Sequence, residues 1–298
     1  MNERPDQEVM TNPRADRVRG VARLAGRSSR LREGLFLAEG PQPAREALRA
    51  HLGLMGSGPE GRPGQWIAGQ VVASVYVSPR LAERDPVLAG LVRRAGEAGV
   101  SVRLATDEVL AAMADAVTGQ GIIAVCRLPE TGSDALWSEA RTLGLVAVLC
   151  RVQDPGNAGT ILRAADAAGA DAVVLTAGSV DVFNPKVVRS TAGSLFHLPV
   201  VTSADVVETA EGLTARGMAV LAADGYGTVR LDQPPPGLLS APTAWLFGNE
   251  AQGLAAEELE LAALRVAVPL YGRAESLNVA TAATVCLYAS AMARHSRG

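Results

Sequence analysis

From Leu143 onward the chain alternates short, unbroken apolar runs with longer alanine-rich stretches, and this alternation restricts the fold more than any other feature. "LGLVAVLC" precedes "AGTILRAADAAGA", and "AVVLTA" precedes "NPKVVRSTAGSLFHL". A helix from Ala204 to Arg216 leads to "MAVLAAD", "AWLFG" and "LRVAVPL", and a terminal helix starts at about Leu277. A continuous apolar run without polar alternation reads as a strand buried on both faces. Such strands with helices between them predict a parallel sheet covered by helices on both sides.

The N-terminal half shows a second α/β pattern on a smaller scale. "GLFLAEG", "VVASVYVS", "SVRLAT" and "GIIAVCRL" read as strands; "PAREALRAHL", Leu81 to Ala98 (containing Pro86) and "DEVLAAMADA" read as helices. "GSGPEGRPGQ" is a loop by composition. At 298 residues there is room for two cores. Turn residues cluster in "PETGSDALWSEAR", so the expected organisation is a basic arm over 1–28, a small domain over 29–130, a linker over 131–142 and a larger domain over 143–298.

Charge and cysteine usage exclude several classes. The net charge is −3, and Lys186 is the sole lysine, a bias that fits a GC-rich genome. Between Asn12 and Arg32 stand Arg14, Arg17, Arg19, Arg23, Arg27, Arg30 and Arg32 against Asp16 alone. Such a stretch either engages phosphates, with Arg27, Arg30 and Arg32 as candidates, or is simply solvated. Cys126, Cys150 and Cys286 are scattered and odd in number, and so are the histidines, which predicts a reduced, cytoplasmic protein without a metal site. No apolar leader or membrane-spanning run is legible.

The first turn of the larger domain reads Asp154-Pro155-Gly156-Asn157-Ala158-Gly159. A dinucleotide fingerprint needs G-x-G-x-x-G at a strand–helix turn, and the glycines here are wrongly spaced, which disfavours a nicotinamide-dependent oxidoreductase. Asn157 is either the cap of the following helix or a functional amide, and Arg163 either faces solvent or a ligand. Two later turns are equally polar. "WLFGNEAQGL" ends a strand in Gly248-Asn249-Glu250, and the terminal helix is entered through Ser276-Leu277-Asn278, where Ser276 is a candidate cap.

Together these segments resemble the three motifs of the SpoU/TrmH branch of the SPOUT methyltransferases. The match comprises N-x-G-x-x-x-R as Asn157, Gly159 and Arg163, the strand-G-N-E turn, and the P-x-x-x-x-x-x-S-L-N entry to the last helix. "NPKVVRSTAGSLFHLPV" resembles the stretch between the first two motifs, and "RSSRLREGLFLAEG" resembles the start of a substrate-binding domain similar to RNA-binding ribosomal proteins. The resemblance implies methylation of RNA ribose 2′-hydroxyls with S-adenosylmethionine as donor, a homodimer, and a C-terminal α/β domain threaded as a deep trefoil knot. It implies catalytic roles for Arg163, Asn157, Glu250, Ser276 and Asn278. It also implies cofactor contacts near Gly248, Val268 and Leu277, although for Val268 and Leu277 core packing is the simpler alternative.

In-line methyl transfer needs alignment and help for a poorly acidic hydroxyl, and no metal. Arg163 stays protonated at neutral pH, so its expected role is to stabilise a developing alkoxide and grip a phosphate. Ribosomal RNA of the 23S class is the expected substrate, because members with a large N-terminal domain resemble ribosomal RNA enzymes; some relatives protect antibiotic producers. Transfer RNA as substrate, or an RNA-binding module without catalysis, are the alternatives.

Overall fold

The computed structural model describes residues 8–55, 65–116, 120–129 and 142–296. The loop expected over 56–65 and the linker expected over 131–142 lie, except for Gln65 and Thr142, outside the described residues. The chain forms two compact units: Met1–Glu130 with Phe183–His197, and Thr131–Val182 with Leu198–Gly298.

In the first unit, α1 (Asp16–Ala22), a 3-10 turn (Arg23–Ala25) and α2 (Arg27–Glu33) lead into β1 (Leu35–Glu39) and α3 (Pro41–His51). Then follow β2 (Val72–Val77), α4 (Leu81–Arg84), α5 (Pro86–Glu97), β3 (Ser101–Leu104), α6 (Asp107–Met113) and β4 (Ile122–Arg127). The sheet runs β1-β4-β2-β3, with β4 antiparallel to both neighbours and β2 parallel to β3. The helix expected from Leu81 to Ala98 is split at Pro86, because Asp85 turns extended and its Oδ1 accepts the Leu88 N–H at 2.9 Å.

The described part of the stretch expected to be a basic arm, residues 8–28, is folded into this unit. Val18, Val21 and Leu24 are buried against Leu37, Tyr76 and Met113, so the apolar face of α1 fixes it in the core. Arg30 needs a correction for the same reason. It is 2% exposed, and its guanidinium donates to the carbonyls of Leu24 (2.9 Å) and Ala25 (2.6 Å) at the end of the 3-10 turn. A buried guanidinium committed to carbonyls cannot reach a phosphate; Arg27 and Arg32 remain exposed.

The segment Phe183–His197 belongs to this unit too. The single helix expected there is α8 (Pro185–Ser190) and a separate 3-10 turn (Ser194–Phe196), broken by Ala192 (φ 49°) and Gly193 (φ 101°). Phe183 packs on Phe36 at 5.0 Å between ring centroids, and Phe196 on Trp66 at 5.0 Å. Arg189 bridges the buried Glu39 (2.6 Å) and Asp115 (3.1 Å).

The second unit opens with β5 (Leu145–Leu149), α7 (Pro155–Ala167) and β6 (Ala172–Thr176). It continues through β7 (Val200–Ala204), α9 (Val206–Ala215), β8 (Ala219–Ala223), β9 (Val229–Arg230) and β10 (Thr243–Phe247). It closes with α10 (Ala256–Glu260), β11 (Leu264–Ala267) and α11 (Val279–His295). Seven strands lie in the order β7-β6-β5-β10-β8-β11-β9, and every pairing is parallel. All residues of β5, β6 and β10 are buried, as their unbroken apolar runs predict. Helices α7 and α11 pack on each other beside β5 and β10.

This strand order fixes where a ligand can sit. The connection leaving β5 goes to β6 on one side, while that leaving β10 passes to β11 on the other. The sheet therefore has a topological switch between β5 and β10, and the crevice beyond their carboxyl ends is where open α/β sheets bind ligands. Among the described residues, no helix is long and apolar enough to cross a membrane.

Candidate active site

The loops that flank this crevice are the ones carrying the polar motifs. After β5 come Cys150 to Asp154 and the start of α7; after β10 comes the turn Gly248 to Leu254. That turn folds tightly on itself, with Asn249 and Gly253 exchanging backbone hydrogen bonds at 3.0 and 2.8 Å. A Cβ on Gly248 would lie 2.2 Å from the Gly253 carbonyl carbon, so glycine is required there by backbone packing alone.

Helix α7 is capped by Asp154, whose Oδ1 accepts the Asn157 N–H at 2.8 Å. Asn157 is therefore not the cap, and its side chain is released for other partners. Its Nδ2 donates to Glu250 Oε1 at 3.1 Å, and its Oδ1 accepts from Asn278 Nδ2 at 3.0 Å. Glu250 also accepts the backbone N–H groups of Asp154 (3.0 Å) and Gln153 (3.2 Å). Asn278 caps α11, its Oδ1 taking the N–H groups of Ala280 (2.9 Å) and Thr281 (3.3 Å). One chain of hydrogen bonds thus joins three turns that are distant in sequence, and each member has its capacity used in an ordered way.

Glu250 is a charged member of this network. Partial burial pushes its carboxyl up, but the Asn157 amide and the surrounding backbone N–H groups together outweigh burial and hold it below the usual glutamate value. A carboxylate so held is a positioning group and a poor proton store at neutral pH. Its contribution to stability is present above the ordinary glutamate range and is lost as pH falls through the lowered folded value. The melting-temperature gap between wild type and Glu250→Gln is therefore expected to be full near neutral pH and to close below about pH 4. A gap that widens on acidification would mean that the proton, not the charge, is what the fold holds.

Other candidates stand apart from the network. Ser276 is exposed and is not the helix cap, because Asn278 takes the open N–H groups two residues later. Arg163 lies on the exposed side of α7, six residues beyond Asn157, and its side chain makes no hydrogen bond or ion pair with any described residue. Six residues advance a helix by roughly 9 Å and turn it to another face, so Arg163 presents its side chain away from Asn157. Leu277 departs from the core-packing alternative, whereas the partial burial of Val268 fits either role. Leu277 is 37% exposed, and Val268 is only half-buried just beyond β11. The thiols are buried, and burial pushes Cys286 up to about 12 and the others further. No group of three or more His, Cys, Asp or Glu side chains among the described residues is placed to hold a metal.

Three participants were not legible as such in the sequence. Asp154 competes with Asn157 as a cap, and only the folded backbone chooses. Gln153 contributes through its N–H alone. Arg151, which ends the β5 run, has a left-handed backbone (φ 55°) and a paired guanidinium; the sequence signal was a charged residue set directly against a buried strand.

A parallel α/β sheet with a polar network across its switch point defines an α/β enzyme domain built to hold a small ligand at the carboxyl ends of its strands. The family model of the SpoU rRNA Methylase family matches residues 144–288. The chain is 41% identical over 194 residues to the 23S rRNA (guanosine(2553)-2'-O)-methyltransferase RlmP of Bacillus subtilis (strain 168), covering 64% of this chain and 73% of that relative. It is 35% identical over 172 residues to the 23S rRNA (uridine(2479)-2'-O)-methyltransferase of Streptomyces viridochromogenes, covering 56% and 58%. Among solved structures, the SpoU methyltransferase AviRb of Streptomyces viridochromogenes in complex with AdoMet superposes with a TM-score of 0.74 at 28% identity, over 95% of this chain and 99% of that one. The chain belongs to the SpoU rRNA methylase family.

Proposed function

We propose that this protein transfers a methyl group from S-adenosylmethionine to a ribose 2′-hydroxyl of 23S ribosomal RNA. The observation that carries the reading is the Glu250–Asn157–Asn278 network, which ties all three motifs together at the switch point of the sheet. S-adenosylmethionine supplies the methyl group. Gly248, Val268 and Leu277 would hold it: they follow β10, follow β11 and precede α11, and two of them leave apolar surface open to a ligand. Asn157, held from both sides, presents a fixed amide beside the crevice. Ser276, exposed and without a hydrogen-bond partner among the described residues, is free to meet the substrate. Arg163, whose side chain has no partner among the described residues, is available for the phosphate next to the reacting hydroxyl and for the charge that develops on it.

The proposal extends to a knotted C-terminal domain, an N-terminal domain with an RNA-binding role like that of ribosomal proteins, and a cytoplasmic homodimer. In support of the dimer, Val285, Tyr288 and Met292 form an exposed apolar stripe on α11, with Met292 63% exposed. For RNA contact Arg27 and Arg32 are the candidates. Replacing both by alanine is expected to lower the slope of log affinity against log salt by about 1–2 while leaving melting unchanged. An unchanged slope would remove them from the interface.

The test is transfer of labelled methyl to separated 23S, 16S and transfer RNAs, followed by nuclease digestion to locate the label. Label on a 2′-oxygen of 23S RNA is the expected result. Label confined to transfer RNA would overturn the substrate class, and cofactor binding with no transfer to naked RNA or ribosomal particles would overturn the catalytic reading.

A further inference from the structure

Arg151 is one of three non-glycine residues among those described whose backbone is left-handed, with φ 55°. An L-residue with a long side chain rarely adopts this conformation unless its surroundings hold it there. Here they hold it from every side. Its N–H donates to Thr176 Oγ1 at 3.1 Å, and its carbonyl accepts from Asn249 Nδ2 at 2.9 Å. Its guanidinium forms a two-pronged pair with Glu258, Nε to Oε1 at 2.9 Å and Nη2 to Oε2 at 2.8 Å. Glu258, in α10, is buried, and its Oε2 also accepts the Ala255 N–H at 2.7 Å. Longer contacts run from the same guanidinium to Gln252 Oε1 (3.3 Å) and to the Gly253 carbonyl (3.4 Å).

All of these partners except Thr176 belong to the turn after β10 or to the helix that follows it. Arg151 itself lies in the loop after β5, where Gln153 and Asp154, two and three residues on, give their N–H groups to Glu250. We infer that Arg151 and Glu258 form a latch across the switch point that sets the turn after β10 against the loop after β5, and so fixes Glu250, Asn157 and Asn278 in register. Arg151 is a positioning residue: among the described residues its guanidinium bonds to this turn and its helix, and it acts through Asn249 and Glu250. The inference rests on the reading of that network as the methyl-transfer site.

Removing Arg151 alone strands a buried carboxylate and is expected to harm folding. The decisive variant is therefore Arg151→Gly combined with Glu258→Gln. Glycine accepts the left-handed backbone without strain, and glutamine still receives the Ala255 N–H. The double variant is expected to melt close to wild type, to lose roughly 100-fold in kcat with KM for RNA unchanged, and to exchange the Gln153 and Asp154 amide protons faster. Arg151→Lys, which keeps the charge beside Glu258 but not the fork, is expected to lose at least about tenfold in kcat relative to wild type. A double variant with kcat within about threefold of wild type, or with the two amides as protected as before, overturns the latch. So does a rate loss that merely follows a drop in melting temperature. If wild type itself methylates no RNA, the functional reading fails, while the exchange and melting measurements still decide whether Arg151 sets the loop.

Discussion

Arg163→Ala is expected to cut methyl transfer by about 100-fold or more, the usual effect of losing a charged contact made in the transition state. That loss corresponds to roughly 2.7 kcal/mol of barrier. The fold should not register the change. Arg163 is exposed, forms no ion pair with a described residue, and sits on the outer face of α7, away from the buried Ile161, Leu162 and Ala165. Surface substitutions of this kind stay within about 0.5 kcal/mol. Cofactor affinity, measured by calorimetry, should also be unchanged, because the residues proposed to hold the cofactor lie after β10, after β11 and before α11, not on α7. Activity lost with melting and cofactor binding intact marks a residue that meets the substrate. Full activity in the variant would remove Arg163 from the mechanism and leave the Asn157 network to act on its own.

Trp245→Ala is expected to cost about 3–5 kcal/mol of stability, the largest effect of any single truncation in the second unit. Trp245 lies in the central strand β10, is fully buried, and stands over Phe247 with ring centroids 6.4 Å apart and planes 11° from parallel. Its Nε1 donates to Ser290 Oγ at 2.9 Å, and Thr243 Oγ1 donates to the same oxygen at 3.3 Å. Ser290 belongs to α11, so the indole both fills the core and ties the last helix to the sheet. Chemical denaturation should show the loss directly. Trp245→Phe should recover most of it, short of about 1 kcal/mol for the missing N–H. Because Asn278 caps α11, a loosened helix should also lower activity in the alanine variant. A cost under about 1 kcal/mol would show that α11 is held chiefly by its packing on α7.

Much of this architecture is legible in the sequence where burial is uniform. The runs "LVAVL", "AVVLT" and "TAWLF" have no polar face, and each is a fully buried parallel strand. The neighbours of each strand are another matter. That β10 lies beside β5, and not beside β9 before it, depends on crossovers that periodicity does not encode, and β9 itself is two residues long. The site was legible as residue types and spacing, and less so as roles. Asp154 and Asn157 are both good caps, and only the one whose backbone is extended can serve. Arg30 reads as a surface charge until the 3-10 turn supplies it with carbonyls. The latch residue Arg151 and its partner Glu258 lie more than a hundred positions apart, and nothing local couples them.

The connection between β6 and β7 is not confined to the unit that owns those strands. Phe183–His197 is built into the other unit, where it meets Phe36, Trp66 and Glu39. The two units are thus joined by three crossings of the polypeptide, at residues near 130, 182 and 197, where a simple two-domain protein has one. A C-terminal fragment starting at residue 142 is therefore not expected to be independent, since it would carry Phe183 and Phe196 stripped of their aromatic partners. Chimeras face the same constraint. An N-terminal unit grafted from a relative must bring its own counterpart of Phe183–His197, or Phe183 and Phe196 will lose Phe36 and Trp66 as partners.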